Sequence, residues 1–473
     1  EIGPMPLTSY QEVVSYAAMV KYVTQARYMP PWQPDPEYRH FVGERALTQE
    51  QIDLIADWVD MGVPRGDSTQ EPPKPTFPTG SALGQPDLVL SWAKPYHHKG
   101  NNRDMYRIIA LPTGLIHDQD IAAIELRPQN KKIAHHALFA YDTTGMARFQ
   151  AAQDTAYGFM GFAGFGVSGA KDIPVAWTPG NLPRPFPEDI GFRLPANSDL
   201  LIQMHYGPTS VDMSDSSTVN IFFKNKPARR RVYNLNMIPQ HPEVTMSSPF
   251  VISAGQVETF TAKYTAKTDL SLFQVYPHSH YLGKYWECYV VKPNNDTVPI
   301  IRINDWDFNW QGGYVPEQLI KIPAGSVIHG IATYDNSIQN PYNPNSPPQT
   351  VRWGERTQDE MFFLILTFLD YEPGDENLNI IDTKVDLQPN SYTGSGATLS
   401  NVDSSQTLGA FSDTLTRPLV TSREQGFVKN HKEVQFLGLA PNPAQEEAEA
   451  WVFTPTFQEV AIDILDLQGK LVR

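Results

Sequence analysis

Five of the twelve histidines in this 473-residue chain stand at spacings that suit a metal. His278 and His280 flank Ser279 in the stretch Tyr276-Pro-His-Ser-His-Tyr-Leu-Gly-Lys284. In an extended segment alternate side chains share a face, so both rings can converge on one ion. Burying two neighbouring imidazoles without a ligand is costly, which makes this pair a stronger metal candidate than the other histidines. His135 and His136 are adjacent at the head of His135-His-Ala-Leu-Phe-Ala140. Adjacent strand residues point to opposite faces, so this pair can share an ion only where the backbone kinks. His205 lies in Gln203-Met-His-Tyr206, with Gln203 on its own face. Taken singly, the adjacent pair reads as a structural or surface pair, and His205 as a hydrogen-bonded core residue. His97-His98, in the polar stretch Tyr96-His-His-Lys-Gly100, reads as a solvated loop, and His329 as a core histidine. Imidazole suits copper, zinc, nickel or iron, and a thioether partner points to copper. Spacing alone selects none of the twelve methionines for that role.

The rest of the chain must position these groups. Forty-one prolines and 31 glycines argue against long helices and for short strands joined by turns. A formal net charge of −15 argues against nucleic-acid partners. No apolar run approaches the about 20 residues of a membrane span. A single cysteine, Cys288, excludes an intramolecular disulfide and reads as a small buried hydrophobe.

Residues 1–66 read as a helical block. One helix is expected over Tyr10 to Ala26 and another over Thr48 to Met61, the latter opened by the capping box Thr48-Gln-Glu-Gln51 and closed at Gly62. The two prolines of Arg27-Tyr-Met-Pro-Pro-Trp32 separate them. Residues 67–85 are a Pro-rich linker. Residues 86–232 and 233–372 carry short apolar strands at regular intervals, so the fold class is mainly β, with two tandem β-domains patterned as a β-sandwich or jelly roll. Residues 373–435 read as a spacer and 436–473 as a small, partial β-domain.

Residues 86–372 resemble the copper type II, ascorbate-dependent monooxygenases, the family of peptidylglycine α-hydroxylating monooxygenase and dopamine β-monooxygenase. Four motifs carry the resemblance in the family's order: His135-His136, Gln203-Met-His205-Tyr-Gly, His278-Ser-His280-Tyr-Leu-Gly-Lys, and Gly354-Glu-Arg-Thr-Gln-Asp-Glu-Met361. The resemblance implies two copper ions per chain. One, for electron transfer, is held by His135, His136 and His205. The other, where O2 is activated, is held by the catalytic residues His278, His280 and Met361. It also implies tandem jelly rolls whose two sites face each other across a solvent-filled cleft. The implied activity is hydroxylation of a substrate C–H bond with O2 and an external reductant, ascorbate or a cytochrome. Gln203 and Tyr276 stand in supporting positions. Tyr276, Phe363 and Ile365 occupy the places where the peptide-hydroxylating enzyme has its Arg, Asn and Tyr substrate anchors. An apolar or aromatic small molecule therefore fits better than a peptide ending in glycine.

The helical block resembles the C-terminal half of a c-type cytochrome. In that reading Met29 is an axial haem ligand, provided that a Cys-x-x-Cys-His motif precedes Glu1; otherwise Met29 packs the helix pair. Pro441-Asn-Pro443, the alternation Val460, Ile462, Ile464 and the turn at Asp466-Leu-Gln-Gly469 resemble the start of a type IX secretion sorting domain, with its closing strands beyond Arg473. This implies export to the surface or medium of a Gram-negative bacterium. Two rival readings remain. One is a surface copper-binding or structural protein that keeps the fold without activity. The other, a zinc hydrolase, lacks any His-Glu-x-x-His motif. A cleft filled by side chains would favour the first rival.

Overall fold

Alternating apolar residues build two β-sandwiches in tandem. The computed structural model describes residues 5–71, 80–161, 164–378 and 380, and four short strands, Gln435–Leu439, Ala450–Phe453, Ile464–Leu465 and Leu471–Val472. The centre of the expected linker, and most of the expected spacer and C-terminal domain, lie outside the described residues.

The first sandwich has two five-stranded sheets. One runs Leu88–Ser91, Thr218–Phe223, Gln119–Arg127, Ile190–Leu194, Arg230–Arg231 in spatial order. The other runs Phe159–Met160, Met105–Pro112, Asp199–Tyr206, Ala134–Asp142, Lys171–Trp177. Ile121, Ile124, Val219 and Ile221 of one sheet meet Ile109, Phe139, Leu200 and Ile202 of the other in a shared core. A helix, Met146–Gln153, is inserted after the Ala134–Asp142 strand and was not signalled by the β pattern.

The second sandwich pairs a four-stranded sheet with a five-stranded one. The four-stranded sheet runs Tyr233–Met237, Phe363–Asp370, Leu270–His278, Ile320–Ile322. Its partner runs Thr245–Met246, Val257–Thr265, Val327–Asp335, Gly283–Val291, Thr297–Ile303. Trp286, Cys288, Ile301 and Ala332 pack against Leu272, Val275, Leu364 and Phe368. The Phe363–Asp370 strand is nearly all apolar and is covered on both faces from Leu366 to Leu369.

The helical block forms as expected, with one difference. Tyr16 leaves helical geometry (φ −115°, ψ 16°), so the first helix splits into Tyr10–Ser15 and Ala17–Gln25. The second helix, Gln49–Asp60, has the reciprocal Thr48–Gln51 capping box, and Gly62 follows it at φ +86°. The segment after Met29 threads onto the second sandwich. Trp32 packs on its core and Phe41 enters it. The Asp35 carboxylate meets Arg302 at 2.6 Å.

Two histidine expectations are corrected here. His97 and His98 lie on a strand, Tyr96–His98, paired with Met213–Asp215, and not in a solvated loop. His97 stays exposed and bonds Ser214, while alternation turns His98 inward to 1% exposure. His329 is the reverse case. Ile328, Gly330 and Ala332 face inward, so His329 lies on the outer face of its sheet, stacked on Tyr289 at 4.7 Å.

Candidate metal centre

The kink that the adjacent histidines require is present. Ala134 pairs with Tyr206 and His136 with His205, so His135 is an extra residue, a β-bulge. The bulge turns His135 to the same side as its neighbour. His205 arrives from the next strand, directly opposite His136. The three rings meet through like atoms: Nδ1 of His135 lies 3.2 Å from Nδ1 of His136, which lies 3.3 Å from Nδ1 of His205. Nitrogens bound to one tetrahedral metal at about 2.0–2.1 Å sit about 3.3 Å apart. Ligand atoms of all three lie within 4.8 Å of one another.

The far side of His205 fixes its tautomer. Its Nε2 meets the Asp104 carboxylate at 2.8 Å, which leaves the Nδ1 lone pair turned to the other rings. Asp104 also accepts from the Thr357 hydroxyl of the second sandwich at 2.7 Å. Burial works to raise the Asp104 carboxyl, but the His205 ring and Thr357 outweigh it and hold it below its ordinary value. Tyr106 stacks flat on His205 at 4.3 Å. Burial, reinforced by His205, pushes His135 down to about 4, and the same causes hold His136 well below its ordinary value. Without metal these rings are neutral at neutral pH, the state that ligates.

A second bulge builds the other half of the site. In the Leu270–His278 strand Leu272 pairs with Phe368 and Gln274 with Thr367, so Phe273 is the extra residue. Leu270 and Leu272 face the second core before it, and Val275 faces that core after it. Phe273 itself enters the first sandwich's core. A period of two would have sent Tyr276 and His278 inward with Leu272; the bulge sends them to the face that meets the first sandwich. The rings of His278 and His280 lie 5.2 Å apart at 84°. His278 Nδ1 meets Gln311 Oε1 at 2.6 Å, and His280 Nδ1 meets the Asp359 carbonyl at 3.1 Å. Both contacts leave Nε2 as the coordinating atom. Burial pushes His278 down to about 4, and burial with His278 pushes His280 down to about 3.

Met361 is also buried. The last ladder pair is His278 with Phe363, and extending that register by two residues sets Met361 across from His280. One buried carboxylate ties the two backbones: Glu360 accepts the N–H groups of His280, Leu282 and Met361. Burial drives that carboxyl up to about 8 although these N–H groups oppose it. Ser279 accepts from Trp286 at 2.8 Å and so anchors the turn between the histidines.

The sites do not face each other across an open cleft. The His136 and His278 rings are 6.3 Å apart, and Phe308 stacks on His135 at 5.2 Å while its ring lies 5.8 Å from His280. The solvent-filled cleft implied by the resemblance is therefore closed by side chains here. The supporting positions fall differently. Gln203 is buried and donates to the Gly164 carbonyl at 2.9 Å, and Gly164 N–H donates to Glu355 across the interface. Tyr276 is buried under Gly313, where a Cβ would come within 3.3 Å of its ring. Met29 is half-buried and its N–H caps Val23 at the end of the helix pair. The single cysteine, Cys288, is buried in the second core, so the axial-ligand reading of Met29 rests on the motif it requires before Glu1.

Asp104, Gln311, Phe308 and Glu360 complete the centre and were not singled out as site residues from the sequence. Glu360 sat inside the last of the four motifs, whereas Gln311 and Phe308 lie in the aromatic stretch 305–311, outside all four. Asp104 carried no local signal.

No family model and no curated protein matches the chain. Among solved structures, it is similar to the infectious bursal disease virus VP2 subviral particle, at 12% identity over 63% of this chain and 75% of that one, with a TM-score of 0.18. It is also similar to the Gt strain of that virus, at 12% identity over 64% and 78%, with a TM-score of 0.16. Likenesses of this size carry no argument about the present chain.

Proposed function

We propose that the protein is an exported copper-dependent monooxygenase that hydroxylates a C–H bond of a small apolar or aromatic molecule. The observation that carries this reading is the convergence of five imidazoles from two sandwiches, three of them with Nδ1 atoms at 3.2 and 3.3 Å. In it His135, His136 and His205 hold the electron-transfer copper, and His278, His280 and Met361 the copper at which O2 is used. A thioether with two imidazoles suits Cu(I), and copper so bound supplies one-electron chemistry and O2 reactivity. Overall, substrate C–H, O2, two electrons and two protons give C–OH and water, with the electrons from ascorbate or a cytochrome. The protein's own groups set tautomers through Asp104, Gln311 and the Asp359 carbonyl, hold the ligand turns through Glu360, and exclude water by burial. In this reading the two sandwiches correspond to the family's tandem jelly rolls, and the C-terminal segment to the type IX-like sorting domain that would export the chain.

The closure by Phe308 favours a second reading, a surface copper-binding protein without oxygenase activity. One experiment separates them. Reconstituted protein is assayed for copper by elemental analysis and for oxygen uptake with ascorbate. Two coppers per chain with reductant-dependent uptake supports the oxygenase. Two coppers without uptake supports the second reading, and fewer than two sinks both.

A further inference from the structure

Phe308 is a buried aromatic residue, 6% exposed, that belongs to neither sandwich core. Its neighbours are the rings of the metal centre: His135 stacked at 5.2 Å and 24°, Tyr281 at 4.5 Å and 49°, His280 edge-on at 5.8 Å and 85°. These are the separations at which aromatic rings attract one another. The slot between the two ligand sets therefore accepts a flat six-membered ring, since one already fills it. Phe363, edge-on to His278 at 6.3 Å, extends its apolar character.

The loop that delivers Phe308, between Thr297–Ile303 and Ile320–Ile322, is fixed on both sides of this ring. Trp306 is in the second core and its Nε1 donates to the His280 carbonyl at 3.2 Å. Gln311 bonds His278, and the Thr178 hydroxyl of the first sandwich donates to its carbonyl at 2.8 Å. The Asp307 carbonyl accepts from Gln33 of the N-terminal segment at 2.6 Å. Phe308 and Asn309 form the tip of a turn closed by Trp310 N–H to the Asp307 carbonyl at 3.1 Å. These bonds hold the backbone and the groups that orient His278 and His280, and none of them involves the Phe308 ring itself.

We propose that this slot is the substrate-ring site and that Phe308 is its gate and the specificity-determining residue: a small aromatic molecule binds by replacing the Phe308 ring between His135 and His280. Turnover there rests on the oxygenase reading, but ring binding does not. A ligand that must displace an internal ring sees only the open fraction of the protein, so its apparent affinity is lowered by that fraction.

The test uses full-length protein, metal-free and copper-loaded, with 4-methylphenol as the flat probe and hexan-1-ol as the flexible control, titrated by calorimetry. Phe308→Ala removes the competing ring, and should bind 4-methylphenol at least tenfold more tightly than wild type in both forms, with a smaller gain for hexan-1-ol. Phe308→Trp should weaken 4-methylphenol binding below that of wild type. Folding is checked by far-UV circular dichroism. If Phe308→Ala does not fold, Phe308→Leu takes its place, keeping apolar volume without a flat face, with a gain of at least threefold expected. A folded Ala or Leu variant that binds 4-methylphenol no more tightly than wild type overturns the proposal. If the wild type takes up no copper, the oxygenase reading fails while the metal-free titrations still decide the slot.

Discussion

Asp104 holds Nε2 of His205 and the hydroxyl of Thr357 at once, at 2.8 and 2.7 Å. It touches no other histidine nitrogen among the contacts described, yet it decides which face of His205 carries a lone pair. Groups in this position commonly govern metal affinity by 10–100-fold. Asp104→Asn keeps an acceptor oxygen but loses the charge, so the three-histidine site should bind copper about 10–100-fold more weakly. The second site should be unaffected, which chelator-competition titration of both sites will show. Such residues are hard to find in a sequence for a physical reason. The histidines announce themselves by type and spacing, whereas Asp104 is one carboxylate among 52 acidic residues, and its partner lies 101 positions away. His98 and His329 make the converse point. Both were misplaced because alternation within a strand, and not the polarity of neighbours, sets which face a side chain takes.

At the scale of elements, the strands were legible and the bulges were not. The short apolar strands expected over residues 86–372 are present, His135–Ala140 among them within Ala134–Asp142. The kink at His135 was a stated requirement for metal binding, but its nature depends on the register with Asp199–Tyr206, which only pairing reveals. The bulge at Phe273 had no sequence sign, because a phenylalanine after Leu272 looks like one more core residue. The turn from His278 to Gly283 shows how tightly such an element is held. A Cβ on Gly283 would lie 2.7 Å from Ser279 Cβ and 2.7 Å from the Trp306 ring, both buried. Overfilling a packed site of this kind typically costs about 1–3 kcal/mol. Gly283→Ala should therefore lower unfolding stability by about that amount in denaturant titrations. Because Ser279 sits between the two ligands, the variant should also lose copper affinity at the His278–His280 site while the three-histidine site keeps its own. Equal losses at both sites would contradict the role assigned to this turn.

At the scale of the whole molecule, the centre exists only where the two sandwiches meet, and they meet through the groups that orient the ligands. Thr357 reaches Asp104, the Tyr106 hydroxyl donates to the Glu355 carbonyl at 2.8 Å, and Thr178 reaches the Gln311 carbonyl. Apolar residues share the load: Phe273, Val315, Leu319 and Leu369 of the second half pack in the first core, with Phe273 against Phe186 at 5.6 Å. Each cross-interface hydrogen bond is worth about 0.5–1.5 kcal/mol. The double variant Thr178→Val, Thr357→Val therefore weakens docking without emptying either core. Docking sets the separation of the two ligand sets, since the His136 and His278 rings lie only 6.3 Å apart. Two Cu(II) ions held by rings this close interact magnetically. The paramagnetic resonance spectrum of the doubly loaded wild type should be broadened relative to the sum of spectra from His136→Ala and His278→Ala, each carrying one copper. In the double Thr variant, at full copper loading, the broadening should diminish as the sandwiches part. A wild-type spectrum equal to the simple sum would mean that the sandwiches stand apart in solution, and the closed centre described here would not be the state that holds both metals.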